Sequence, residues 1–164
     1  MSEEIKVRRL KKDEVDVFKS LRLTAIKEDP YAFDQTYNQE KEKGFSYWNE
    51  LVLSLTPPGK NIMLIAVKND TSVGFVFGFR REKQTGSFGG MWVSKKYRRQ
   101  GIATKLISEI EAWAREEKIL ELKIWNFKEN HNAQKFYERC GFIETGLDKE
   151  LSTGKLMVQL NKKL

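Results

Sequence analysis

The residue pattern predicts an α/β fold of the mixed, α+β type in a single domain. Three observations carry this reading. At 164 residues the chain has room for about one domain. Two stretches with helical apolar spacing lie before residue 60, whereas alternating or continuous apolar runs dominate after it. From residue 88 onward the order reads strand, helix, strand, helix, strand, strand, with no internal repeat, linker or low-complexity segment.

Ile5–Leu10 alternates apolar and basic residues and reads as a short strand, with Asp13 as the N-cap of the helix that follows. In that helix Val15, Phe18, Leu21 and Ile26 recur at three- and four-residue steps, and Asp29-Pro30 ends it. Tyr31–Gly44 is polar and aromatic without a clear period. Phe45–Leu55 resumes a helix through Trp48, Leu51, Val52 and Leu55, until Pro57-Pro58-Gly59 stops it. Ile62–Val67 is aliphatic, Asn69-Asp70 makes a turn, and Val73, Phe75, Phe77 and Phe79 are expected on one face of the returning strand. A further strand, Phe88–Val93, contains Gly89-Gly90, a sign of a bulge or of another group approaching the backbone.

Beyond the basic segment Ser94–Gly101, the residues Ile102, Leu106, Ile110 and Trp113 mark one face of a helix expected to end near Lys118. Ile119–Trp125 reads as a strand. Asn130 or Asn132 can cap a short helix carrying Ala133, Phe136, Tyr137 and Cys140, with Gly141 as its C′ residue. Phe142–Leu147 and Leu156–Leu160 read as a closing antiparallel pair.

Composition removes several function classes. Apolar residues make up 40% and aromatics 12%, enough for a core and against disorder. One cysteine, Cys140, precludes an intramolecular disulfide, and one histidine, His131, leaves no Cys/His zinc cluster, so no metal is expected. A hydrolase triad would depend on His131 and has no nucleophile-elbow glycines to support it. No apolar run approaches the roughly 18 residues of a membrane span, and Met1–Leu10 lacks a signal-peptide core, so a cytoplasmic protein without a membrane partner is expected. The net charge of +7 favours anionic partners.

That charge is concentrated. Lys95, Lys96, Arg98, Arg99 and Lys105 fall between Ser94 and Lys105 with no acid among them, at a helix start where acids are normally favoured. Gly101, placed in the first turn, costs about 1 kcal/mol of helix stability relative to Ala. Both choices suit a phosphate seated on the exposed N–H groups, and a solvated basic turn accounts for the charges equally well. Neither a G-x-x-x-x-G-K-[ST] loop nor a G-x-G-x-x-G turn is present.

Met91-Trp92-Val93 followed by Tyr97-Arg98-Arg99-Gln100-Gly101-Ile102-Ala103 resembles the acyl-CoA signature of the GNAT superfamily of N-acetyltransferases. Asn130-x-x-Ala133-x-x-x-Tyr137-x-x-x-Gly141-Phe142 resembles that family's second motif, in the right order. The resemblance covers about Ile62 to Leu160, and Arg22 with Pro30-x-Ala32-Phe33 is similar to a common bacterial subgroup. It implies a mostly antiparallel sheet flanked by helices, with a splayed parallel strand pair at the acyl-CoA site. Residues 1–60 would form the acceptor side and residues 61–164 the acyl-CoA core.

The cosubstrate implied is acetyl-CoA. By resemblance Arg98, Arg99, Gln100, Gly101, Ile102, Ala103 and the Thr104 hydroxyl hold its pyrophosphate, and Met91, Trp92 and Val93 form the strand end that pairs with the pantetheine arm. Asn130 bonds that arm, and Tyr137 protonates the leaving thiolate, although on spacing alone Tyr137 also suits a core aromatic. The glutamate that some members carry before the basic turn is missing from Ser87–Val93, leaving Glu82, Asn126, a backbone carbonyl or an N-terminal residue as routes for the amine proton.

Between Glu28 and Glu50 six acids (Glu28, Asp29, Asp34, Glu40, Glu42, Glu50) face two lysines, so a cationic acceptor is expected: a polyamine, an aminoglycoside-like molecule or a basic peptide or amino acid. A homodimer through the C-terminal strands is compatible with the family. The competing class is a non-catalytic module that binds acyl-CoA or nucleic acid. Nucleic-acid binding is disfavoured because the basic turn carries one aromatic, Tyr97, and no recognition motif.

Overall fold

The computed structural model describes residues 4–164; the first three residues of the segment read above for a leader lie outside it. Strand β1 (Ile5–Arg9) leads into α1 (Val15–Glu28), a single 3₁₀ turn at Pro30–Ala32, α2 (Tyr37–Lys41) and α3 (Phe45–Ser54). Then come β2 (Ile62–Lys68), β3 (Thr71–Arg80), β4 (Thr85–Val93), α4 (Ile102–Glu116), β5 (Glu121–Phe127), α5 (His131–Arg139), β6 (Ile143–Glu150) and β7 (Leu156–Lys163). The strands form one sheet in the order β1-β2-β3-β4-β5-β7-β6, antiparallel throughout except for β4 with β5. β7 therefore inserts between β5 and β6.

The sheet separates two cores. On one face α4 buries Ile102, Leu106, Ile110 and Trp113 against β2, β3, β5 and β7, with Phe88 and Phe142 in the same cluster. On the other, α1 and α3 contribute Phe18, Ile26, Trp48 and Val52, which meet Phe75, Phe77 and Trp92 from the sheet. Because both faces are covered, β2 reads as a continuous apolar run, and Ile62–Ala66 are all buried.

Two local expectations are corrected. Asp13 does not cap α1; the helix begins one residue later behind Glu14. The Glu14 carboxylate accepts from Arg8 at 2.8 Å through both oxygens and from the Lys11 N–H at 2.9 Å, tying strand to helix, and Arg8 holds that carboxyl below its usual pKa. Val73 does not share a face with Phe75 and Phe77. Ala66 pairs with Gly74 and Val67 with Ser72, so Val73 is the extra residue of a bulge and joins the α4 core, while the two phenylalanines join the other. The turn at Asn69 and Asp70 has φ of 48° and 59°, the paired left-handed geometry of a tight hairpin. Smaller offsets also occur: α4 ends at Glu116, β5 starts at Glu121 with Ile119 buried just before it, and α2 occupies part of the stretch that lacked a period.

Gly78 marks how closely α4 approaches the sheet. A Cβ there would lie 2.7 Å from Ile62 Cγ2 and 2.8 Å from Trp113 Cζ3. Gly78→Ala is expected to cost about 1–3 kcal/mol through overpacking, read as a lower urea midpoint at unchanged slope.

Candidate active site

The parallel pairing of β4 with β5 is short. It covers Thr85↔Glu121, Gly86↔Leu122 and Ser87↔Lys123, after which the two strands part. β5 stays paired on its other side with β7 as far as Phe127, so the opening lies on the edge of β4. That edge is also bent. Phe75 pairs with Trp92 and Phe77 with Gly89, which leaves one residue too many on β4. Gly90 absorbs it at φ +60°, where a Cβ would lie 2.6 Å from Phe77 Cδ2, so the glycine pair does mark a bulge.

A groove of about 1660 Å³ follows this opening. That exceeds the roughly 300–1,000 Å³ of a pocket for one drug-sized ligand, so two reactants fit end to end. Met91, Trp92, Val93, Arg98, Arg99, Gly101, Ile102, Ala103, Thr104, Asn130 and Tyr137 all line it. Gln100 does not: its side chain accepts from Lys68 Nζ at 2.7 Å, on the outer side of the turn.

The basic turn is shaped by two left-handed residues, Arg99 at φ +63° and Gly101 at φ +80°. Gly101 is the N-cap of α4 rather than a first-turn residue, and no side chain caps the helix. Nothing lies within 4 Å of where its Cβ would be, and with no side-chain cap the first N–H groups of α4 have no side-chain partner among the described residues. The residues present thus fit an anion approaching the backbone closely.

The cations of this turn are less available than their number suggests. Arg98 donates Nε to the Val93 carbonyl at 2.7 Å and its guanidinium pairs with Asp29, while Lys95 Nζ donates to the Glu28 carbonyl at 2.9 Å. Lys105 bonds the Ile5 carbonyl, and Lys96 lies over the Tyr97 ring at 5.0 Å. Among the described residues Arg99 is the cation of the five that makes no such contact and lines the groove.

The same bonds correct the acidic acceptor region. The Glu28 carboxylate is taken by the Lys95 N–H and the Ser94 hydroxyl, and Asp29 by Arg98 and by Trp92 Nε1 at 3.0 Å. Glu40 is buried, 3.5 Å from the Tyr47 hydroxyl, and Glu42 and Glu50 lie outside the groove. Of the six acids, Asp34 alone lines the groove without serving the basic turn.

Tyr137 reaches the groove from α5, which starts where Asn130 Oδ1 accepts from the Ala133 N–H at 3.2 Å. That cap occupies the Asn130 side-chain oxygen and leaves its amide group. The phenol is held by rings at 5.5–6.2 Å, from Phe136, Phe88 and Phe142. Its hydroxyl makes no hydrogen bond within the described residues, and burial pushes its pKa up, so it stays a protonated donor. Burial likewise pushes the Cys140 thiol up, which makes a poor nucleophile. His131 is exposed and lines the groove. Glu82 is exposed in the β3–β4 turn outside the groove, whereas Asn126 is buried within it, its amide donating to the Phe127 and Asn130 carbonyls at 3.1 Å.

Sequence reasoning gave no active-site role to Arg22. It lines the groove from α1, over the Phe33 ring at 4.8 Å. Among the described residues there is no group of acidic, His or Cys side chains suited to a metal, and no helix long and apolar enough to cross a membrane.

Comparison with known proteins points the same way. The model of the acetyltransferase (GNAT) family matches residues 22–142. A GNAT-family acetyltransferase from Streptococcus pneumoniae superposes with a TM-score of 0.78 at 16% identity, covering 98% of this chain and 99% of that one. A ribosomal-protein-alanine N-acetyltransferase from Brucella melitensis gives 0.78 at 18% identity, with 97% and 99% covered. PaiA N-acetyltransferase from Thermoplasma acidophilum, solved with coenzyme A, gives 0.75 at 16% identity, with 98% and 99% covered. No curated protein matches at the level of sequence.

Proposed function

The chain belongs to the acetyltransferase (GNAT) family and is an acyl-CoA-dependent N-acetyltransferase that uses acetyl-CoA as cosubstrate, and from that premise we propose how its residues divide the work. The observation that carries the reading is a single groove that joins the splayed edge of β4, the uncapped start of α4 and the Tyr137 phenol.

The N–H groups of Gly101, Ile102, Ala103 and Thr104, with Arg99 beside them, bind the pyrophosphate. Arg98 and Gln100 shape the turn, Arg98 through Val93 and Asp29 and Gln100 through Lys68. The backbone of Met91–Val93 pairs with the pantetheine arm, as a free strand edge can. The bulge turns a backbone N–H toward the reacting carbonyl, where a fixed donor stabilises developing negative charge. Acetyl-CoA, when bound, supplies an acetyl thioester open to attack by an amine and departs as the thiol. Tyr137 gives its proton to the departing sulfur and is reprotonated from solvent. Water held by Asn126 carries away the proton of the attacking amine.

The acceptor is a primary amine, a small molecule or a peptide, with Asp34 as a carboxylate lining the groove that it enters. The lone cysteine suits the cytoplasm. A homodimer would form on β6, where Ile143 and Leu147 are 70% and 58% exposed, and light scattering tests it.

Free-thiol release from acetyl-CoA across a panel of amines, amino acids and peptides is the decisive experiment. Saturable acetyl-CoA binding without turnover on any acceptor overturns the reading in favour of a binding module. Arg99→Glu is expected to weaken acetyl-CoA binding by about 10–100-fold, the scale of losing a charged hydrogen bond, with the melting temperature retained. Unchanged affinity by calorimetry would remove Arg99 from the phosphate site.

A further inference from the structure

We propose that Arg22 binds a carboxylate of the acceptor, so that the acceptor is a small amino-carboxylate, such as a free amino acid, rather than a polyamine or a protein chain. This deepens the acetyl-transfer reading and rests on it. Arg22 lines the groove from α1, and a Cβ placed on Gly90 would lie 3.9 Å from its Nη1. The guanidinium thus sits beside the bulge at which the reacting carbonyl is held.

Among the described residues no carboxylate lies within ion-pair distance of this arginine, where comparable ones have theirs. Arg8, Arg80 and Arg98, all partly buried, each meet a carboxylate, at 2.8 Å for Arg8 and 3.2 Å for Arg80. Arg22 makes one hydrogen bond among the described residues, from Nη2 to Gln35 Oε1 at 3.0 Å, to a neutral amide. Its guanidinium lies 4.8 Å from the centre of Phe33 and 5.9 Å from that of Phe77. Glu40 acts on it only at a distance, with Tyr47 as its hydrogen-bond neighbour. Burial lowers the guanidinium's pKa from its ordinary value, the mark of a desolvated charge.

A half-buried guanidinium with N–H groups to spare matches the two oxygens of a carboxylate. Position then limits the acceptor. A carboxylate on Nη1 and an amine at the bulge are close enough to belong to one small molecule. A polyamine would bring only ammonium groups to this cation, and the N-terminal residue of a peptide has its own α-carboxyl group tied up in the next peptide bond.

The test pairs free L-amino acids with their carboxamides as acceptors for the wild type, Arg22→Gln and Arg22→Lys. The wild type is expected to prefer the carboxylates by about 100-fold in kcat/KM, the scale of one buried charge pair. Arg22→Gln should bring that ratio toward one by raising KM for the carboxylates, with partial recovery in Arg22→Lys. A second readout needs no turnover: N-acetyl amino acids, but not their amides, should raise the melting temperature of the CoA-saturated wild type and fail to do so for Arg22→Gln. Equal or better use of carboxamides by the wild type, or an equal loss on both acceptor types in Arg22→Gln, overturns the assignment. Carboxylate-dependent stabilisation without turnover on any acceptor would overturn acetyl transfer while leaving the Arg22 site standing.

Discussion

Tyr137→Phe is expected to lower kcat by about 10²-fold or more, the lower end of what a positioned general acid contributes, with little change in acetyl-CoA affinity or melting temperature. The substitution removes one oxygen and keeps the ring. The packing against Phe88 at 5.8 Å and Phe142 at 6.2 Å therefore survives, and no hydrogen bond among the described residues is lost. Rapid-quench or thiol-release kinetics with calorimetric acetyl-CoA titration separate the two effects. Burial raises the phenol above its ordinary value of about 10, so it remains protonated through the alkaline range. The wild-type kcat profile should accordingly show no fall from loss of this proton below pH about 10. A core aromatic with no chemical role, the other reading that the helix spacing allowed, predicts unchanged turnover in Tyr137→Phe.

The site was legible in the sequence where its signals are local. Two adjacent glycines in a strand announced the bulge, and Gly90 at φ +60° is where it falls. A helix start rich in cations and without acid announced an anion-seeking N-terminus, and α4 begins there uncapped. Thr36-x-x-Gln39 is a capping box and could have revealed α2, whose Thr36 side chain accepts from the Gln39 N–H. Long-range pairings were not legible. Glu28 and Asp29 read as part of an acidic acceptor region, yet they are bonded to Ser94, Lys95 and Arg98, more than sixty positions away. Charge counting along a chain records sign and density, whereas the partner of each charge is chosen by the sheet that brings α1 beside the end of β4. Val73 was misplaced for a related reason: a bulge on β3 depends on its register with β2, and nothing in the alternation of Val73, Phe75 and Phe77 reports it.

Asp29→Ala is expected to lower stability by about 2–4 kcal/mol and to weaken acetyl-CoA binding about tenfold or more through a residue placed outside the phosphate site. Its carboxylate accepts from Trp92 Nε1 at 3.0 Å, pairs with Arg98 and lies 3.6 Å from Lys95 Nζ. Trp92 is 4% exposed, so removal of the acceptor strands a buried indole N–H, which alone costs about 1–3 kcal/mol. Arg98 is 41% exposed at its side chain, so water covers part of the lost ion pair and the upper end for a fully buried pair does not apply. Two opposed effects act on the cofactor end. Freeing Arg98 and Lys95 adds positive charge for a phosphate, but it also releases the turn from α1. The second should dominate, because the N–H groups of Gly101–Thr104 bind only if the turn presents them together, and preorganised donors lose more from misplacement than a flexible cation gains. Asp29→Asn separates the terms: the amide oxygen still accepts from Trp92, so the melting temperature should fall less than in Asp29→Ala, while the loss of acetyl-CoA affinity persists. Tighter acetyl-CoA binding by either variant would show instead that Asp29 competes with the cofactor for Arg98.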